Sequence, residues 1–308
     1  MSKDPIIDAH SHYLPKEIIR QASFYSEDWG NIERQLEFMD TTGVDLAILT
    51  YPTTDVVLKG KMGEVDVAKS YNDAIGQIVK RYPGRFLGTA LLPLFDEKHM
   101  ITELKRARDI LGLKGISLAS SYNGIYLDDE RFYLLYEKVS EYNLPIFVHA
   151  TTNNPIGSRR VVDPLLTPVI EFVFDITMCI GKLIMSSVFK EFPDLKFVFA
   201  HFGGVMPFIK ERLDTTYRML RKRILVRDIS AMPSDYLKRI YVDISGSASP
   251  SAIMCTIEVM GIERIFWGSD YPANMDLLKS IETINGLDIT ERQKAQILGK
   301  NVERLMIL

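Results

Sequence analysis

Cysteine is nearly absent from this chain: Cys179 and Cys255 are the only two. They form no Cys-x-x-Cys pattern, which excludes a disulfide framework and a thiolate metal site; both read as core residues of a protein in a reducing compartment. An excess of charge of one sign is also lacking, since 37 basic against 40 acidic residues leave a net charge of −3. With no basic block, nothing here suits a phosphate backbone, and nucleic acid is not an expected partner. No apolar run is long enough to span a bilayer. The nearest, Pro168 to Phe189, is broken by Glu171, Asp175 and Lys182 and reads as a buried amphipathic helix. Met1 leads into the first strand without a leader-like apolar stretch, so the expectation is a cytoplasmic protein with no membrane partner. No Gly-x-Gly-x-x-Gly follows that strand, which argues against a dinucleotide-binding open sheet.

What the chain does have is regular alternation. Short apolar runs suited to strands fall at Ile6–His10, Asp45–Tyr51, Arg85–Leu92, Leu113–Ala119, Leu144–Ala150, Leu195–His201, Arg239–Ser245 and Arg264–Asp270. Helical periodicity fills the gaps at Ile32–Thr42, Val65–Tyr82, His99–Leu111, Arg131–Tyr142 and Pro250–Met260, and Asn274–Ile284 and Thr290–Leu305 read as closing helices. Gly43, Gly84 and Gly112 stand where helix C-terminal glycines belong. Eight strands alternating with helices over 308 residues predict an α/β fold, a (β/α)₈ TIM barrel, as one domain spanning 1–308.

Histidine is scarce too, with five in all, and four of them close or follow the predicted strands. His10 and His12 are two apart, so in a strand they project to one side, roughly 6–7 Å apart at the backbone. His149 closes Leu144-Pro-Ile-Phe-Val-His149, His201 closes Leu195-Lys-Phe-Val-Phe-Ala-His201, and Asp270 closes Arg264-Ile-Phe-Trp-Gly-Ser-Asp270. His99 lies at a helix start and reads as a surface residue. In a barrel, strand C-terminal ends share the face that carries active sites. Imidazole with one carboxylate suits a borderline divalent cation, so His10, His12, His149 and Asp270 are predicted to hold one metal ion, zinc or alternatively manganese. An ion there would lower the pKa of a bound water toward ~7. His201 is the predicted general base or substrate-polarising group, and Asp270 a second proton acceptor. Asp8 lies two residues before His10, either as a support beneath the ligands or as a structural carboxylate at the barrel bottom.

The His-Ser-His opening, Phe147-Val-His149, Phe199-Ala-His-Phe-Gly-Gly204 and Trp267-Gly-Ser-Asp-Tyr-Pro272 together resemble the amidohydrolase superfamily, in its metal-dependent hydrolase-type barrel. More narrowly they are similar to the branch of aminocarboxymuconate semialdehyde decarboxylase and related aromatic-acid decarboxylases. The similarity takes in Tyr82-Pro-Gly-Arg-Phe86 and Glu191-Phe-Pro-Asp-Leu-Lys-Phe197 and covers nearly the whole chain. It implies a mononuclear divalent metal, a homodimer and the same ligand and base roles. It further implies that Arg212 binds a substrate carboxylate, reaching in from the neighbouring subunit; a helix-surface arginine is the other reading. Binuclear relatives carry a carboxylated lysine at the end of strand 4, whereas Lys114 lies at that strand's beginning, which favours a single metal.

Some positions depart from the branch. The segment Tyr13–Asn31 is short, Arg20 has no counterpart, Ala150-Thr-Thr152 follows His149, and Ala273 stands where the branch has phenylalanine. Aminocarboxymuconate semialdehyde itself is therefore not the expected substrate. The leading expectation is non-oxidative decarboxylation of a small aromatic or enolic carboxylate. The alternative is hydrolysis of a lactone, amide or ester, and a catalytically silent ligand-binding barrel is the third reading.

Overall fold

The computed structural model describes residues 4–21, 25–52, 62–157, 163–274 and 277–307. Among the described residues eight strands form the main sheet: β1 (Ile7–His12), β2 (Leu46–Thr50), β3 (Phe86–Ala90), β4 (Gly115–Ala119), β5 (Pro145–His149), β6 (Lys196–Phe199), β7 (Tyr241–Asp243) and β8 (Ile265–Phe266). They pair in chain order, all parallel. The ring closes through the chain beyond β8. Ala9 N donates to Trp267 O at 3.0 Å, Asp270 N to His10 O at 2.8 Å and His12 N to Tyr271 O at 2.8 Å. This is the expected (β/α)₈ barrel.

The principal helices are α1 (Ile32–Thr42), α2 (Glu64–Arg81), α3 (Glu97–Asp109), α4 (Tyr133–Glu141), α5 (Phe172–Met185), α6 (Met206–Lys222), α7 (Pro250–Met260) and α8 (Leu277–Asn285). Three of them, α1, α3 and α7, start with a side-chain cap: Asn31, Asp96 and Ser249 accept from backbone N–H groups of the first turn. Gly43, in the left-handed region at φ 75°, ends α1 as expected. Thr290 and Gln293 form a reciprocal capping box at the start of the C-terminal helical run.

Side chains of period two set the barrel layers. On β5, Ile146 and Val148 join the large core beneath the helices, while Phe147 joins Ile7, Ala9, Ile48, Val198 and Phe266 in a smaller inner cluster. His149 continues the inner column of Phe147 and so emerges at its top. β1 needs a different device, because Ile7 and Ala9 face inward and strict alternation would turn His10 and His12 outward. Between Asp8 and Ser11 it carries one residue more than β2, which spans the same stretch as Ala47 to Leu49. This bulge switches the inward phase from odd to even positions and aims both histidines at the axis.

Two expectations change. β1 runs on to His12, so the second histidine belongs to the strand. The segment 168–189 begins as a π-turn (Thr167–Glu171) and buries only one face; Val169, Ile170, Phe174 and Met178 remain exposed.

Candidate metal centre

At the C-terminal rim of the barrel the side chains of His10, His12, His149 and Asp270 converge, one ligand atom from each lying within 4.8 Å of all the others. His10 Nε2 is 3.0 Å from His12 Nε2, and Asp270 Oδ1 is 3.1 Å from His12 Nε2 and 3.4 Å from His10 Nε2. The outer nitrogens decide what these atoms are. His12 Nδ1 faces the Thr50 carbonyl at 3.2 Å, His149 Nδ1 the Ala150 carbonyl at 3.0 Å, and His10 Nδ1 the Asp243 carboxylate at 2.9 Å. Each of those partners accepts, so each Nδ1 carries the proton and each Nε2 presents a lone pair. Three lone pairs and a carboxylate turned on one point repel unless a cation lies between them. The donor set therefore fits one divalent ion, with the outer hydrogen bonds fixing tautomer and ring orientation.

The electrostatics agree. Burial opposes charge on His10, yet the Asp243 carboxylate, followed by Asp270, raises its pKa well above the usual imidazole value. Burial lowers His12, and burial with the neighbouring rings lowers His149 well below that value. Burial would raise both carboxyls, but the His10 and His12 rings beside it hold Asp270 well below the ordinary range, and His10 brings Asp243 down to about 2. Carboxylates that favour a proton among these rings favour a metal cation in its place.

Asp243, at the end of β7, had no part in the sequence reading, although it closes Arg239-Ile-Tyr-Val-Asp243 as His149 closes β5. Its Oδ1 accepts from His201 N at 3.1 Å, Ser245 N at 3.0 Å and Ser245 Oγ at 2.5 Å. Ser245 Oγ in turn lies 3.0 Å from both His10 Nδ1 and His201 Nδ1. His10, His201 and Asp243 also meet metal-like spacing; with every Asp243 oxygen engaged by donors, that carboxylate is a support. Trp29, also unforeseen, stacks on His12 at 5.7 Å between ring centres.

His201 lies beyond β6 in a turn where four successive residues, His201 to Gly204, have positive φ. Its ring is 5.2 Å from His10 and 5.5 Å from His149, and it lines the cavity above the cluster. It is therefore beside the convergence point but outside the four-ligand group. Asp8 is buried and accepts from His10 N, Ser269 N and Ser269 Oγ, so it pins β1 to the chain after β8. Lys114 is exposed at the far end of β4, and His99 is exposed, its Nδ1 2.6 Å from Asp96. Cys179 is buried as expected; Cys255 is not, being half-buried in the cavity wall. Arg212 is exposed on α6 and does not line this chain's cavity.

The fold has counterparts among known proteins. A 2-amino-3-carboxymuconate-6-semialdehyde decarboxylase of Dictyostelium discoideum is 26% identical over 325 residues, covering 96% of this chain and 89% of the relative. The crystal structure of 5-carboxyvanillate decarboxylase from Sphingomonas paucimobilis superposes with a TM-score of 0.84 at 22% identity, over 99% of this chain and 100% of that one. A dihydroxybenzoic acid decarboxylase from Polaromonas sp. JS666, with bound manganese and the inhibitor 2-nitroresorcinol, gives 0.85 at 22% identity over 99% and 98%. The amidohydrolase family profile matches residues 7–306. The chain belongs to the amidohydrolase family.

Proposed function

We propose that this protein is a metal-dependent carboxy-lyase that removes CO₂ from a small aromatic or enolic carboxylate. The observation that carries the reading is the convergence of three imidazole lone pairs and one carboxylate at the floor of a large cavity. Relatives with this fold whose names state decarboxylation support the reaction type. His10, His12, His149 and Asp270 would hold the ion. Zinc suits this donor set, and manganese, present in the Polaromonas structure, is the alternative. A divalent ion bound there supplies a Lewis acid beside the substrate's oxygens.

The protein's own groups do the rest. Trp29 and the apolar wall hold the ring and keep water off it, while the cluster orients the carboxylate and its neighbouring oxygen. His201 holds a proton at the cavity floor and delivers it to the carbon that bears the carboxylate. As the new C–H bond forms, the C–C bond to the carboxylate breaks and CO₂ leaves. Substrate carboxylate plus one proton gives the decarboxylated product plus CO₂, with no oxidant and no water consumed.

A homodimer completes this reading. Val169, Ile170, Phe174, Met178 and Phe208 form apolar outer faces on the π-turn, α5 and α6, Phe208 being 85% exposed. Arg212 lies one helical turn after Phe208, on the same side of α6. A second copy packed there would carry its own Arg212 toward a cavity that Phe208 also lines. Among the described residues no helix is long and apolar enough to cross a membrane, and the two free cysteines fit the cytoplasm.

The test is elemental analysis of protein purified without added metal, with His12→Ala alongside, followed by a CO₂-release screen of phenolic and enolic acids. About one ion per chain, lost in the variant, and CO₂ formed without uptake of solvent ¹⁸O are expected. Cleavage of esters or lactones with ¹⁸O entering an acid product, and no CO₂, would replace the lyase with a hydrolase. A chain that refuses added metal while folded would leave a binding barrel.

A further inference from the structure

Ser245 is buried just beyond the end of β7, and its one hydroxyl faces three polar atoms. Oγ lies 2.5 Å from Asp243 Oδ1 and 3.0 Å from each of His10 Nδ1 and His201 Nδ1. A serine has one hydrogen to give and two lone pairs to offer. The carboxylate can only accept, and it is the shortest contact, so the hydrogen goes to Asp243. The lone pairs are left facing the two imidazole nitrogens.

For His10 this adds little, because its Nδ1 proton already has Asp243 Oδ2 at 2.9 Å. For His201 it decides the ring. The other group near its Nδ1 is the Ser245 carbonyl at 3.5 Å, again an acceptor. With acceptors alone on that side, Nδ1 carries a proton in the neutral ring and in the imidazolium alike. Nε2, at the far end, is bonded by none of the described residues, and His201 lines the cavity. The main chain fixes the same direction. His201 N donates to Asp243 Oδ1 at 3.1 Å, and Gly246 brings the backbone so close that a Cβ there would stand 3.4 Å from His201 Nδ1.

We infer that Ser245 is a positioning residue for the proton transfer: it locks His201 in the Nδ1–H tautomer, so that Nε2 alone exchanges protons with the substrate. The inference rests on the decarboxylase reading for the use made of that proton. The imidazolium gives its Nε2 proton to the carbon that bears the carboxylate, the C–C bond to the carboxylate breaks and CO₂ leaves. His201 is left neutral, its Nδ1 proton still bonded to Ser245 Oγ, and a solvent proton returns to Nε2. No proton passes from Ser245 to Asp243, so the pair is a hold and not a relay. One carboxylate thereby orients a candidate metal ligand through Oδ2 and the proton carrier through Oδ1.

Five histidines make the tautomer directly readable. In zinc-loaded protein labelled with ¹⁵N-histidine, long-range ¹H–¹⁵N correlations distinguish protonated from bare ring nitrogens, and His201→Asn identifies the His201 signals. At a pH where that ring is neutral, wild type should show a protonated Nδ1 and a bare Nε2. Ser245→Ala removes the hydroxyl but keeps the two backbone donors to Asp243 Oδ1 and the bond from His10 to Asp243, so the zinc content should be unchanged. Its two His201 nitrogen shifts should move toward each other as both tautomers become populated. With a phenolic acid that wild type decarboxylates, kcat should fall about 10- to 100-fold while KM stays within about threefold. Ser245→Thr should restore both tautomer and rate. A wild-type His201 bare at Nδ1, a Ser245→Ala variant with tautomer or kcat unchanged, or loss of its zinc overturns the inference. If the tautomer responds as stated but no acid releases CO₂, the lock on His201 stands and the decarboxylase reading falls. If acids release CO₂ and the tautomer ignores Ser245, the reading stands and the lock falls.

Discussion

Replacing Asp243 by asparagine tests whether proton placement on His10 creates the metal site. Asp243 has two separate duties. Oδ1 accepts from His201 N, Ser245 N and Ser245 Oγ, and Oδ2 accepts from His10 Nδ1. An asparagine oxygen in the Oδ1 position keeps the first set and therefore the local fold. Its amide nitrogen then faces His10 Nδ1 as a donor, so that nitrogen must accept and the proton moves to Nε2. The ring would then point N–H at His12 Nε2, 3.0 Å away, and one of the three imidazole lone pairs would be lost. Loss of the negative charge acts in the same direction.

Removing such an outer partner typically costs 10–100-fold in metal affinity, or about 1.4–2.8 kcal/mol. With the Oδ1 bonds kept, stability of the metal-free protein should change by less than ~1 kcal/mol. The assay is competition for zinc against a chromophoric chelator, beside chemical denaturation of the stripped protein. His10→Ala serves as the limit in which the ligand itself is gone. A zinc affinity within threefold of wild type in Asp243→Asn, at unchanged stability, would refute the tautomer argument.

Three further outcomes follow from the same geometry. His201→Asn should keep its metal by elemental analysis and lose roughly 10²–10⁴-fold in kcat, since His201 lies outside the four-ligand group; loss of the ion would make it a ligand. Asp8, whose pKa burial raises from 3.8 to about 6 despite its bonds from Ser269 and His10, binds its proton more tightly in the folded than in the unfolded state. The metal-free protein should therefore lose up to about 3 kcal/mol as pH rises from below 4 through 6. Asp8→Asn should flatten that dependence in urea titrations, and a wild-type profile that rises over this range would contradict the assignment. Gly204→Ala places a Cβ against Thr177 Oγ1 and 2.5 Å from the Val173 carbonyl at φ 70°. It should cost about 2–3 kcal/mol, and a denaturation midpoint equal to wild type would show that the turn after His201 is not tightly held.

The converging candidate ligands were legible because their chemistry is carried by residue type. An apolar run that ends in histidine is readable wherever it occurs, and four such endings on strands of a barrel meet at one rim. The barrel itself was legible from alternating periodicities, although strand ends were not. β8 is only Ile265–Phe266, because Ser269 N bonds to the Asp8 carboxylate and Trp267 N to Ile297 O instead of continuing a ladder. The hairpin pairing Ser121–Tyr122 with Ile125–Tyr126 was legible by rule, since Asn123-Gly124 supplies the two positive φ angles that such a turn needs. The outer face of α5 was misread because an apolar stretch gives its burial no address: helix packing and a second copy ask for the same residues.

The supports were illegible for a physical reason. His10 and Asp243 are 233 positions apart, and an acid after Tyr-Val at a strand end is as readily a solvated residue as a tautomer switch. The backbone at the site hides in the same way. His201 and Asp270 sit at φ 52° and 63° without being glycine, which costs of order 1–3 kcal/mol each. Nothing in either side chain announces that conformation. It persists because His201 N donates to Asp243 and Asp270 N donates to His10 O. The bonds that hold two residues in unfavourable backbone states are thus made to the partner of His10 and to His10 itself. Strain, tautomer and ligand geometry form one coupled unit, and residue identities alone could announce only the ligands.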